Sequence, residues 1–178
     1  MIWRDDKRIA DRVNDRIVAS VLGLGGLPLP KQTAVSRAAI DAFREAPRAQ
    51  ANFNCLVREI VNGAVRASQF THLPTVDAAR ATMLGVLQGA KSSGRDLLPI
   101  VSLACERLLW STAALDEDLA SCARGIIEGV QQQSVVLNGE RTRMLELVIA
   151  SALRVVSEID DAQVEPARRA MAAAVCHV

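Results

Sequence analysis

The sequence contains no tyrosine, and phenylalanine and tryptophan supply only 3% of its 178 residues. Without aromatic faces there is little from which to build a platform that stacks single-stranded nucleic-acid bases. The hydrophobic half of the chain is mostly Ala, Leu, Val and Ile. A core of many small aliphatic side chains suits close helix-on-helix packing.

Groups that could run chemistry are also scarce. Histidine, the usual general base near neutrality, occurs only at His72, beside a proline-containing turn, and at His177, next to the end of the sequence. Neither stands in a Ser/Cys/His or metal-spaced arrangement. Cys55, Cys105, Cys122 and Cys176 are widely spaced and form no CxxC pair. They read as reduced, buried thiols and not as a disulfide framework or a zinc site. Asp116, Glu117 and Asp118 stand where a helix begins, and acids there complement the helix dipole. No EF-hand spacing follows them, and no Glu-x-x-His pair offers di-iron ligands. Gly23-Leu24-Gly25-Gly26 lacks both a preceding strand and the Gly-Lys-Ser/Thr ending of a phosphate cradle. No catalytic residue, cofactor or metal is therefore assigned, and the expectation is a protein that is not an enzyme.

The charge pattern excludes further classes. Net charge is +1, with acids and bases interspersed. No block of one sign marks a nucleic-acid arm or a membrane anchor. Arg greatly outnumbers Lys, which occurs only at Lys7, Lys31 and Lys91; this Arg and Ala bias is associated with high-GC bacteria. No uncharged apolar run reaches the length of a membrane span. Residues Ile17 to Pro30 are uncharged, but Asp5, Asp6, Asp11 and Asp15 crowd the stretch where a signal peptide needs positive charge. The expectation is a soluble, cytoplasmic protein.

What the sequence does carry is helical periodicity throughout, so the fold class is all-α: one domain over 1–178, with about eight helices in an irregular bundle or a short α-solenoid-like array. A first helix runs to about Leu22, with Ile9, Val13, Ile17 and Val21 as its apolar stripe. A Gly/Pro loop over 23–32 follows. Further helices are expected at Thr33–Glu45, from Pro47 to about Ser68, Thr75–Lys91, Asp96–Thr112, Asp116 to about Val135, and Glu140–Ile159. Pro166 opens a short last one. Thr75 and Asp116 are the expected N-caps, and Asn138-Gly139 an expected turn. The fifth and seventh helices are apolar nearly all round and should form the central pair. Charged Glu106 and Arg107 on the fifth, and Arg154 on the seventh, must then be paired or reach solvent. The space between those two helices is where an apolar ligand or lipid would fit.

The most specific feature is an internal repeat. Gly85-Val86-Leu87-Gln88-Gly89 and Gly125-Ile126-Ile127-Glu128-Gly129 share one pattern 40 residues apart, and Glu59 to Gly63 keeps only the second glycine. The spans 75–114 and 115–159 thus read as two related helical hairpins. Glycine inside a helix costs about 0.8–1 kcal/mol relative to alanine. Two glycines spaced by four share a helix face and let another backbone approach. Gly63, Gly85, Gly89, Gly125 and Gly129 are therefore expected at close helix–helix contacts, within the fold or against a second copy. The period is that of HEAT and armadillo arrays, without motif residues specific to either. The reading is a non-enzymatic interaction or scaffold protein, whose partners are another protein or further copies of itself.

One alternative rests on ten residues. Lys31-Gln32-Thr33-Ala34-Val35-Ser36-Arg37-Ala38-Ala39-Ile40 resembles the recognition helix of helix-turn-helix regulators. That resemblance implies Gln32, Ser36 and Arg37 as contacts to DNA. The chain departs from the family in the preceding turn, where Gly23 to Pro30 replaces a connection of three or four residues.

Overall fold

The computed structural model describes residues 3–24, 26–46, 53–133 and 138–176, with residues 3–8 and 138 as backbone. Eight α-helices run through them: α1 (Trp3–Leu22), α2 (Lys31–Glu45), α3 (Phe53–Phe70), α4 (Thr75–Ser92), α5 (Leu97–Ala113), α6 (Leu119–Gln131), α7 (Asn138–Ile159) and α8 (Val164–Val175). A single 3-10 turn, Asp161–Gln163, precedes α8. The described residues contain no strand.

Each helix packs most extensively on the helix two places along the chain. The odd helices α1, α3, α5 and α7 form one layer, and the even helices α2, α4, α6 and α8 the other. The glycines show how neighbours in the even layer are set. A Cβ at Gly85 would lie 2.5 Å from the Ser36 carbonyl oxygen and 2.9 Å from the Ala39 Cβ. A Cβ at Gly125 would overlap the Val76 carbonyl oxygen and stand 3.0 Å from the Ala79 Cβ. One turn further on, Gly89 meets Phe43, while Gly129 meets Arg80 and Met83. Contacts advance in the same direction on both partners, so α2, α4 and α6 run parallel. Gly63 seats α3 on α1 in the same way, against Ala10 and Val13.

The helix ends share one device. At the C-termini of α3, α4 and α5, a residue three or four positions beyond the helix donates to the carbonyl five residues back: Leu73 to Ser68, Arg95 to Ala90 and Glu117 to Thr112. The residue before it is left-handed, with φ of 52° at His72, 69° at Gly94 and 55° at Asp116. These are Schellman closures, and they turn the chain sharply into the next helix.

Several expected boundaries shift, each for a local reason. Helix α2 begins at Lys31, directly after Pro30, so the connecting loop is shorter than 23–32. Thr75 is the first helical residue of α4 and not its cap; its hydroxyl donates to Glu117 Oε2 at 2.5 Å. Asp118 and not Asp116 caps α6, accepting from the amides of Ala120 and Ser121. Asp116 is occupied in closing α5. Asn138 and Gly139 lie in the first turn of α7 and do not form a separate turn. Pro47 and Val135 fall outside the described residues.

Helix α7 is not central. It has a neighbour in its own layer on one side only, so Arg143, Glu146, Leu147, Ala150 and Arg154 face outward. Its broad apolar surface is explained by Leu145, Ile149 and Leu153, which are half-covered. The buried positions instead concentrate on α3, α4, α5 and α6. Where α5 meets α7, Ala104, Cys105, Val148, Ala152 and Val155 are fully buried, and Ser102 and Ser151 hydrogen-bond at 2.9 Å.

The thiols follow this burial. Desolvation pushes the Cys122 thiol up to about 12 and raises Cys105 well above its ordinary value. A raised pKa leaves little reactive thiolate at neutral pH. A disulfide-exchange reagent at pH 7.5 is therefore expected to modify exposed Cys176 within the mixing time, and Cys105 and Cys122 only on unfolding. Fast modification of either buried thiol in native protein would contradict this packing.

Candidate interaction edge

Parallel packing within a layer puts all the α-odd C-termini on one side of the molecule. Four connections therefore line a single edge: α1 to α2, α3 to α4, α5 to α6 and α7 to α8. Two observations tie neighbouring connections together. Thr75, at the start of α4, is bonded to Glu117 in the α5–α6 turn. Asp116 and Asp160, from the third and fourth connections, line one recess.

This edge collects most of the exposed large apolar side chains. Leu22 ends α1, Leu24 and Leu27 follow in its turn, Phe70 ends α3, and Trp110 lies in the last turn of α5. Exposure reaches 91% at Leu27, 65% at Phe70 and 43% at Trp110. Only Leu147 and Val175, among the described residues, are large exposed hydrophobics elsewhere. Single exposed apolar residues are ordinary. A row across three neighbouring helix ends, each about 8–10 Å from the next, is the kind of patch that marks an interaction surface.

Charge along the edge runs from basic to acidic. At the first connection, Arg37 lines a recess of about 190 Å³ with Leu24, Leu27 and Leu29, and Lys31 is exposed close by. Among the described residues neither cation has an ion-pair partner. At the third and fourth connections, a recess of about 420 Å³ is lined by Ala113, Asp116, Glu117, Asp118, Leu119, Ile159, Asp160 and Gln163. Its lining holds four carboxylates and no cation. Asp118 and Asp160 are spent on helix caps and Glu117 on Thr75. No group of three or more His, Cys, Asp and Glu among the described residues could hold a metal ion. The recess is thus the acidic end of the apolar row.

The residues singled out from the sequence fall in four places. Gly63, Gly85, Gly89, Gly125 and Gly129 are buried inside the chain, at the α1–α3, α2–α4 and α4–α6 crossings. Of the DNA-contact set, Gln32 and Arg37 are exposed, whereas Ser36 lies against Gly85 with its hydroxyl donating to Thr33 O at 3.2 Å. Arg154 bridges Glu106, across the α5–α7 contact, and Glu158 at 2.8 Å, while Arg107 is exposed. His72 sits exposed in the second connection, with left-handed backbone.

Sequence reasoning missed the apolar edge itself. Leu24 and Leu27 were visible as large hydrophobics inside a Gly/Pro-rich break. Phe70 and Trp110 fit a helical stripe and gave no sign of facing water. Comparison with protein-family models, with curated proteins and with solved structures finds no match.

Proposed function

We propose that this chain is a non-enzymatic interaction or scaffold protein that associates with itself. The observation that supports this reading is the apolar row on the connection edge, which gathers five of the seven large exposed hydrophobic side chains among the described residues. A short array of helix pairs is suited to such a role, because each pair holds its loops at a fixed spacing on a rigid body. The internal glycines contribute indirectly. They bring α4 onto α2 and α6 onto α4, and that close packing sets the spacing of the edge. No helix of the described residues is long and apolar enough to cross a membrane. A cytoplasmic setting suits the free, buried thiols.

Light scattering coupled to size exclusion tests the reading, over loads from micromolar to several hundred micromolar. A mass that rises above one chain with concentration is expected. A mass of one chain throughout would remove self-association from the proposal.

A further inference from the structure

We infer that the connection edge pairs with the same edge of a second copy about a two-fold axis passing close to Phe70. The inference rests on the self-association proposed above and names its surface and geometry. Its basis is the order of features along the edge. Leu24 and Leu27 lie at the first connection, Phe70 at the second and Trp110 at the third. Lys31 and Arg37 flank one end of this row, and Asp116, Glu117, Asp118 and Asp160 the other.

A two-fold rotation about the middle of that row reverses the order. Phe70 then meets Phe70 of the other copy. Leu24 and Leu27 meet Trp110, and Lys31 and Arg37 meet the carboxylate recess. Apolar groups bury apolar groups while each basic end finds an acidic one, twice per dimer. An isologous contact of this kind is self-complementary and closes at two subunits. Placing the copies in the same direction would set basic end against basic end. Charge complementarity therefore selects the antiparallel pairing over the parallel one.

The pattern does not fit continued stacking of helices end to end. The glycine faces that seat α4 and α6 are already filled by α2 and α4. The terminal helix α8 carries charge on its outward side, at Glu165, Arg168 and Arg169. Among the described residues, the edge holds most of the large apolar side chains that the fold leaves exposed.

The experiment is sedimentation velocity on the full chain at low and moderate salt. The wild type is expected to form a species of two chains. Leu27→Ser and Arg37→Glu are each expected to raise the dimer dissociation constant by about tenfold or more, since each change is present twice at the contact. Asp116→Arg should do the same, and Arg37→Glu with Asp116→Arg should recover most of the loss. Leu147→Ser, an exposed apolar position away from the edge, serves as the comparison and should leave association unchanged. In a Cys176→Ser background, Phe70→Cys should cross-link to a covalent dimer on mild oxidation, because a residue near a two-fold axis meets itself. Thermal melting of each variant separates lost association from lost folding.

The outcomes divide cleanly. A chain that associates equally well in Leu27→Ser and Arg37→Glu, or that is weakened only by Leu147→Ser, overturns the edge and leaves self-association standing. Failure of the paired charge reversal to recover binding overturns the antiparallel geometry. A chain that stays single at every concentration overturns both readings and leaves the edge to a different protein or to none.

Discussion

Replacing Gly125 with alanine is expected to lower the stability of the fold by about 2–3 kcal/mol. Alanine is the better helix former by about 0.8–1 kcal/mol, so the substitution would stabilise α6 if it stood alone. The loss arises at the crossing with α4. The added Cβ would overlap the Val76 carbonyl oxygen, a backbone atom held by the α4 helix, and stand 3.0 Å from both Ala79 Cβ and the Val76 carbonyl carbon. Neither partner can swing away as a long side chain can. Relief therefore requires α6 to move off α4, which loosens the contacts made by fully buried Ile126, Ile127 and Val130. Gly85→Ala should behave alike, because it meets Ser36 O at 2.5 Å and Ser36 Cα at 2.8 Å. Gly89→Ala should be milder, since it meets the Phe43 side chain, which can tilt. Gly139→Ala provides the reference: nothing lies within 4 Å of its new methyl, so propensity acts alone and stability should rise slightly. Urea unfolding of the four variants checks the order. Gly125→Ala as stable as Gly139→Ala would mean that α4 and α6 do not approach as closely as the structure shows.

That ordering also marks what could be read from residues alone. The matched glycines were conspicuous because helix propensity disfavours them, and the reason for their presence had to lie in packing. Sequence spacing put Gly125 and Gly129 on one face, but it could not say which helix that face meets. The answer, α4 two places back and not α5 or α7, depends on the parallel order of each layer, a property of the assembled chain. Capping shows a similar limit. Thr75 and Asp116 have the right chemistry for N-caps, yet Asp118 stands two residues closer to the actual start of α6, and Thr75 finds a distant carboxylate. Periodicity overestimated α7, because a helix at the end of a layer can be apolar on three sides with only part of that surface covered. The connection edge was least legible of all. Leu22, Phe70 and Trp110 are separated by tens of residues and become neighbours only when α1, α3 and α5 end on the same side.

The opposite effect on stability is expected at Gln133. This residue follows α6, and its side chain is fully buried, yet neither its amide nitrogen nor its amide oxygen has a hydrogen-bond partner among the described residues. Each buried polar group left unpaired costs about 1–3 kcal/mol. The backbone at this position is well used, since its carbonyl accepts from Arg141 Nη2 at 2.8 Å and its amide donates to Val130 O at 3.2 Å. A change confined to the side chain therefore keeps the turn. Methionine has a similar length, no amide to satisfy, and enough flexibility to fill an irregular space. Gln133→Met should raise the free energy of unfolding by about 1–3 kcal/mol, seen as a higher urea midpoint at constant slope. Thr82→Val is a smaller version of the same test, because Thr82 Oγ1 is a single buried oxygen without a partner among the described residues. Its expected gain is about 1 kcal/mol, below that of Gln133→Met. The reverse order, or a loss in Gln133→Met, would show that the amide of Gln133 is satisfied in the folded protein by a group that holds it in place.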